Sequence, residues 1–380
     1  MRVCYISNSF KEHDHKFLSK FSEKNISTFA ISMSKTILSE DYKFDNIHYF
    51  ELSAYYPKLS KQLLSSSFLK LFLYPLWFFL AYRLSVQIIN KSKPDILHGG
   101  YVPIVGFLCS IINFRPFLLM PWGSDILIFP DKSFLHNLFI NKIISKSDAI
   151  VCDAEVVKKK ILEICPYDNP LEVFPWGIDL SKFKKYNDES IIRKYSLQKS
   201  VVIISTRNHE KIYGIEILLE AFSILNKKSP SAKLLLLGSG SLTDNYLEFI
   251  KKDNLEDSVK IIGRVPNLDL PIFLNNSDIY VSTSFSDGTS VSLLEGMACG
   301  LPVVVSDIPS NNEWINNGEN GFIFSKGNSK DLSKKLLHLV KDRKLRLKQS
   351  KINQNITSFR ADWDKNFTTL QKVYNLLYNN

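Results

Sequence analysis

The chain has 380 residues, long for one hydrophobic core, so two domains are the better expectation. Its 45% apolar and 23% charged content is that of an ordinary soluble globular protein, and five scattered cysteines without CxxC spacing argue against a zinc site or a disulfide framework and fit a reducing compartment. A formal charge of +10 suits an anionic partner, but the lysines are dispersed and no nucleic-acid motif appears, so a nucleotide or an acidic membrane face is favoured over nucleic acid, with plain solubility as the alternative.

Strand-like and helix-like segments alternate along the chain, the pattern of an α/β architecture with parallel sheets. Met1-Arg2 leads into the strand-like "RVCYIS" (2–7), too short an apolar run for a signal peptide, so a cytoplasmic chain is expected and five N-x-S/T triplets are chance matches. Residues 68–89, "FLKLFLYPLWFFLAYRLSVQII", are apolar but broken by Lys70, Pro75 and Arg83. Their uninterrupted part is about half of the roughly 20 residues that span a bilayer, leaving a core helix or a helix lying in a membrane interface. "DILHGG" (95–100), "PFLLMPW" (116–122) and "AIVCDA" (149–154) read as further strands of the first half, and the segment from 172 to 190, with Pro175 and Gly177, as a linker. The second half restarts with a strand at 200–206, a helix at 214–228 and a glycine-ended strand at 232–240. A strand at 278–284, a helix from Ser290 to Cys299 and a strand at 301–307 complete a βαβ unit, and 330–380 is helical, with Phe359, Trp363, Phe367, Leu370 and Tyr374 at spacings of three and four. Two Rossmann-like halves are expected to share a cleft at the carboxyl ends of their strands.

Residues 286–307, "SDGTSVSLLEGMACGLPVVVSD", hold two carboxylates eight positions apart. Asp287 follows a strand end, Gly288 permits a tight turn, and Thr289 or Ser290 can cap the next helix, whose first amides and dipole form an anion site. Glu295 falls at the edge of the apolar stripe of Val291, Leu294 and Ala298, where a carboxylate is costly unless hydrogen-bonded. Either it pairs with a Lys or Arg, or it accepts hydrogen bonds from ligand hydroxyls as the acid of dinucleotide folds does. His98 ends a strand and is either structural or a cleft residue. Asp125 either caps the segment "ILIF" or contacts an acceptor. Asp362-Trp363-Asp364 matches a metal-binding DxD literally but lies in a helical tail and reads as coincidence, so no metal site and no cofactor is expected.

Residues 286–314 resemble the signature of retaining glycosyltransferase family 4, the group 1 type with the GT-B fold: Asp287 and Glu295 stand for its spaced pair of acids, followed by "GMACGLPVVVSD" and Glu313. "PDILHGG", "WGSDI" (122–126), "VFPWGIDLSKF", "TRNHEKIYGIEILLEAF" and "LLLLGSG" resemble further family motifs in the right order. Tyr213 stands where the family has Lys directly before Gly214, with Lys211 two positions earlier. Trp122 stands where the family often has His, and the first strand ends in "SNSF" rather than a Gly-Gly turn. The resemblance implies two Rossmann-like domains, 1–178 for the acceptor and 179–360 for a nucleoside diphosphate sugar, with a helix at 361–380 returning to the first. It implies that Asp287 holds hydroxyls of the transferred sugar and Glu295 the ribose. Amides from Gly288, Thr289, Ser290 and Val291 face the diphosphate, Arg264 joins the donor side, and Arg207 with Lys211 neutralises the leaving group. His98, Trp122, Gly123 and Asp125 fall on the acceptor side.

The implied activity is metal-independent, retaining transfer of a hexosyl or N-acetylhexosaminyl group to a glycan or lipid-linked acceptor in bacterial surface polysaccharide synthesis, on or near an anionic membrane and without nucleic acid. The rivals are a GT-B nucleotide-sugar epimerase and a basic, non-enzymatic membrane- or nucleic-acid-binding protein.

Overall fold

The computed structural model describes residues 1–34, 44–57 and 67–379, and the side chains of these except Glu12 and residues 67–72. The chain divides into two compact units: Met1–Asp153 with Val157–Val173 and Thr369–Asn380, and Ala154–Val156 with Phe174–Thr368.

The first unit holds seven parallel strands: β1 (Arg2–Ser7), β2 (Ser27–Ser32), β3 (Ile47–Glu51), β4 (Ile96–Gly100), β5 (Phe117–Met120), β6 (Ala149–Cys152) and β7 (Leu171–Val173), in the order β3-β2-β1-β4-β5-β6-β7. In β1 every residue from Val3 is buried, as in β4, β5 and β6, because helices cover both sheet faces and leave no solvated side to alternate with. Cys4, Cys109, Cys152, Cys165 and, in the second unit, Cys299 are all buried.

The second unit has six parallel strands: β8 (Val201–Ser205), β9 (Ala232–Leu237), β10 (Val259–Gly263), β11 (Ile279–Ser282), β12 (Val303–Ser306) and β13 (Gly321–Phe324), in the order β10-β9-β8-β11-β12-β13. Its pleat sorts side chains into two cores. Val202, Ile204, Leu235, Tyr280, Val303 and Val305 pack on one face with Leu294 and Met297, whereas Ile203, Leu234, Leu236, Ile279, Val281 and Val304 pack on the other with Phe222 and Leu336. Strand order reverses between β8 and β11, so the carboxyl ends of those two strands border the crevice where doubly wound sheets take ligands. Both sheets have the GT-B arrangement that the sequence suggests.

The expected helical tail is three helices, Ser329–Lys341, Arg343–Arg360 and Trp363–Asn379. The aromatic stripe crosses the last break. Phe359 is 83% exposed, while Trp363, Phe367, Leu370 and Tyr374 are buried. Asp362 caps the last helix, its Oδ1 accepting from the Asp364 amide at 2.9 Å, which is how the D-W-D triplet is spent. Residues 369–379 of that helix lie in the first unit, where the Tyr374 hydroxyl meets His98 Nδ1 at 2.6 Å. Residues Ser67–Ser92 form one helix with Pro75 inside it. Trp77, Ala81, Leu84, Ile88 and Ile89 are buried on one side, while Leu76 and Phe79 are exposed on the other and Tyr74 is exposed one turn before Trp77. The side chain of Lys70 lies outside the described residues. No helix among the described residues is long and apolar enough to cross a membrane.

Candidate functional site

Arg207 lies two residues beyond the end of β8, at the switch point of the second sheet. Its guanidinium is 9% exposed and fully engaged on one side. Nη2 donates to Asp287 Oδ2 at 2.6 Å, and Nη1 donates to the hydroxyls of Ser290 and Ser292 at 2.8 and 2.9 Å. The Tyr213 ring lies beneath it, its centroid 4.2 Å from the guanidinium carbon. Burial pulls the Arg207 pKa down, but the Asp287 charge, Tyr280, Tyr213 and the hydrogen bond to Asp287 together outweigh it and the net shift is upward, so the group is a fixed cation.

Two loops have to be held in register for this cluster to exist. The Thr283 hydroxyl donates to the Tyr213 carbonyl at 2.8 Å, and the Phe285 amide donates to the Ile212 carbonyl at 2.8 Å. Gly214 makes that approach possible: its φ is +59°, and a Cβ there would stand 2.6 Å from the Thr283 carbonyl oxygen. Past it runs the helix Ile215–Asn226.

Ser290 is the N-cap of the helix Val291–Ala298, its hydroxyl accepting from the Leu293 amide. Of the two candidates the sequence offered, Ser290 takes this place and Thr289 is buried beside it. The first amides of a helix have no intrahelical acceptor, so the positive helix end and the Arg207 fork converge on one small region. Gly288 is buried in the same turn and Val291 is half-buried at the first helical position. Glu295 is 6% exposed, one turn further into the helix. Its charge is felt at Tyr280 and Cys299, whose ionisations it disfavours. Lys211 is exposed in the short helix Lys211–Tyr213, outside the buried cluster, and Arg264 is exposed just past β10, two strands from β8. Ser292, Tyr213 and Tyr280, whose hydroxyl donates to Ser292 at 2.9 Å, complete the cluster. Ser292 had a faint signal, a second hydroxyl two positions after the cap.

In the first unit, His98 is wholly enclosed, its ring edge-on to Tyr5 and Tyr374, and burial lowers its pKa to about 3, so the ring is neutral. Asp125 is also buried. It does not cap "ILIF" from its start. It accepts from the Trp122 amide at 2.9 Å and the Val102 amide at 2.9 Å, pinning the turn through Gly123 (φ +99°) to the segment after β4. Burial raises its carboxyl to about 6 against the pull of those amides. Trp122 packs near His13, ring centroids 5.8 Å apart. Glu313, in the second unit, accepts from the amides of Glu155 and Val156 at 3.1 and 2.9 Å. Among the described residues, no group of three or more His, Cys, Asp or Glu side chains is placed to hold a metal ion.

Residues 187–356 match the family model described as glycosyl transferases group 1, and residues 2–154 the one described as glycosyl transferase 4-like. The two matches together indicate a glycosyltransferase of the group 1 type. An uncharacterized glycosyltransferase of Methanocaldococcus jannaschii is 26% identical to this chain over 77% of it and 79% of the relative. The N-acetyl-alpha-D-glucosaminyl L-malate synthase of Bacillus anthracis is 24% identical over 78% of each chain, and a capsular polysaccharide biosynthesis glycosyltransferase of Staphylococcus aureus is 26% identical over 69% of this chain and 71% of its own. Among solved structures, Anabaena HepE in complex with UDP and glucose superposes with a TM-score of 0.78 at 16% identity, covering 99% of this chain and 100% of that one. The likeness in structure establishes a shared GT-B fold.

Proposed function

We propose that this group 1 glycosyltransferase moves a hexosyl or N-acetylhexosaminyl group from a nucleoside diphosphate sugar, with retention of configuration and without a metal ion, to a glycan or lipid-linked acceptor of a surface polysaccharide. The observation that carries the reading is the buried Arg207 fork, seated beside the capped start of the helix Val291–Ala298 at the switch point of the second sheet. A fixed cation and helix amides at one point suit a diphosphate whose charge grows as the sugar leaves. Residues 179–360 then bind the donor and 1–178 the acceptor. Asp287 accepts hydrogen bonds from the transferred sugar, and Glu295 from the ribose. The departing phosphate takes the acceptor's proton as the acceptor oxygen attacks the same face of the anomeric carbon. The work takes place in the cytoplasm, and relatives named for capsule and amylovoran synthesis support the choice of acceptor.

The test is a thermal-shift panel of UDP-, GDP- and ADP-sugars, followed by product analysis with and without chelator. One donor should raise the melting midpoint, and its sugar should be transferred with the anomeric configuration kept. Conversion of the donor sugar with no acceptor present would make the chain an epimerase. Loss of turnover on chelation, restored by magnesium or manganese, would overturn the metal-free diphosphate site.

A further inference from the structure

The helix Phe134–Ile144 carries an outward stripe that nothing in the sugar-transfer site uses. Phe134 is 80% exposed, Leu135 72% and Leu138 42%, with Lys142 exposed one turn beyond Leu138. Spacings of three and four put these four side chains on one helix face. This helix is not isolated. Phe139 lies 5.1 Å from Phe107, and Phe107 stacks at 5.3 Å on Phe78 of the helix Ser67–Ser92, so a run of three half-buried rings joins the two helices. The second helix adds the exposed Leu76 and Phe79, with the Arg83 guanidinium 5.9 Å from the Phe79 ring centroid. Large apolar side chains grouped in this way on a monomer's surface mark a contact site.

Charge decides what the contact is. From Ser67 to Ser147 the sequence has eight Lys or Arg and three carboxylates. All three carboxylates are engaged: Asp95 with the Arg2 amide, Asp125 buried on backbone amides, and Asp131 with Lys160 at 2.8 Å. Neither apolar helix carries an acidic residue. A two-fold contact with a second copy would set this cationic, carboxylate-free patch against an identical one, which opposes that arrangement. An apolar stripe rimmed by cations matches an interface of acyl chains beneath anionic headgroups.

We propose that this surface seats the first unit on an anionic lipid bilayer, with Phe134, Leu135 and Leu138 entering the headgroup layer and Lys142 and Arg83 meeting lipid phosphates. This docking stands whether or not the chain transfers sugar. The test is co-sedimentation of the full chain with vesicles of phosphatidylcholine, alone or mixed with phosphatidylglycerol. The chain pellets with the mixed vesicles at low salt, less so at high salt, and little with phosphatidylcholine alone. Phe134→Ser combined with Leu135→Ser lowers that partition at least about tenfold. Both side chains are mostly exposed, so the fold survives, and circular dichroism checks that it does. If the double variant unfolds, Lys142→Glu gives an independent reading, with a loss of about fivefold or more. Unchanged partition of a folded variant, or no binding of the parent chain to the mixed vesicles, overturns the proposal. So does a parent dimer in sedimentation velocity that the double variant dissolves, which would give the face to a second copy.

Discussion

Replacing Arg207 with Ala should separate catalysis from donor binding. The side chain gives one charged hydrogen bond to Asp287 at 2.6 Å and two to hydroxyls. Breaking a buried ion pair costs ~3–5 kcal/mol, and since Asp287 keeps 23% of its side-chain exposure, the low end, about 3 kcal/mol, is the stability loss expected. The kinetic loss has another source. A donor aimed at developing negative charge contributes about 10²–10³ in kcat, roughly 3–4 kcal/mol. Ground-state diphosphate keeps the helix amides, so donor Kd should rise less than about tenfold. Arg207→Lys restores charge without the two-pronged reach to Asp287 and Ser290, and should recover part of kcat. The assay is single-turnover transfer at saturating donor, with calorimetric titration of the same protein and a thermal scan to show that it is folded. A folded Arg207→Ala protein that turns over at the parent rate removes Arg207 from the chemistry. One whose donor Kd rises while kcat at saturating donor stays unchanged makes Arg207 a uniform binding group, and the argument from growing charge is wrong.

Asp287→Asn should lower turnover while leaving affinity for the free nucleoside diphosphate nearly intact. Glu295→Gln should weaken free nucleotide and sugar donor together, by about 1.5–3 kcal/mol, and titration of both variants with both ligands decides whether the roles divide this way. His98 should make the first unit acid-sensitive. Its folded pKa of about 3 lies below the ordinary 6.5, so the unfolded chain takes the proton first, and the stability that is full above pH 6.5 drains as pH falls towards 3. At pH 4.5 that amounts to about 3 kcal/mol, and His98→Phe, which cannot titrate, should flatten this part of the pH–stability curve in denaturant titrations. An equally steep curve in the variant would place the acid sensitivity elsewhere.

The buried central strands were legible because parallel strands covered on both faces write continuous apolar runs, as "VCYIS" and "LLLL" do. β2, β3, β7, β10 and β13 passed unnoticed. β7 has three residues, and β3, β7, β10 and β13 are sheet edges, where Glu172 and Lys260 can point to water and blur the pattern. In the candidate site, Arg207, Asp287 and Glu295 came from motif likeness, and the physics of a strand end before a helix explained their placement. Ser292 and the Tyr213 ring did not, because contact with Arg207 depends on how two loops are stitched across 70 residues of sequence. The partner of His98 is 276 residues away, a pairing no local pattern encodes.

That last pairing bears on how the chain is made. Tyr374 and Leu370, both fully enclosed, belong to the core of the first unit, and Tyr374 closes over His98 and Phe21. A ribosome working from the amino end finishes the seven strands of that unit long before it adds these residues. Until the closing helix emerges, the first unit waits with an apolar face uncovered, while the second completes its own sheet. Vectorial synthesis usually lets the amino-terminal domain fold first. In this molecule the domain begun first is completed last, because its closing residues, from Thr369 on, are made only after every residue of the second unit.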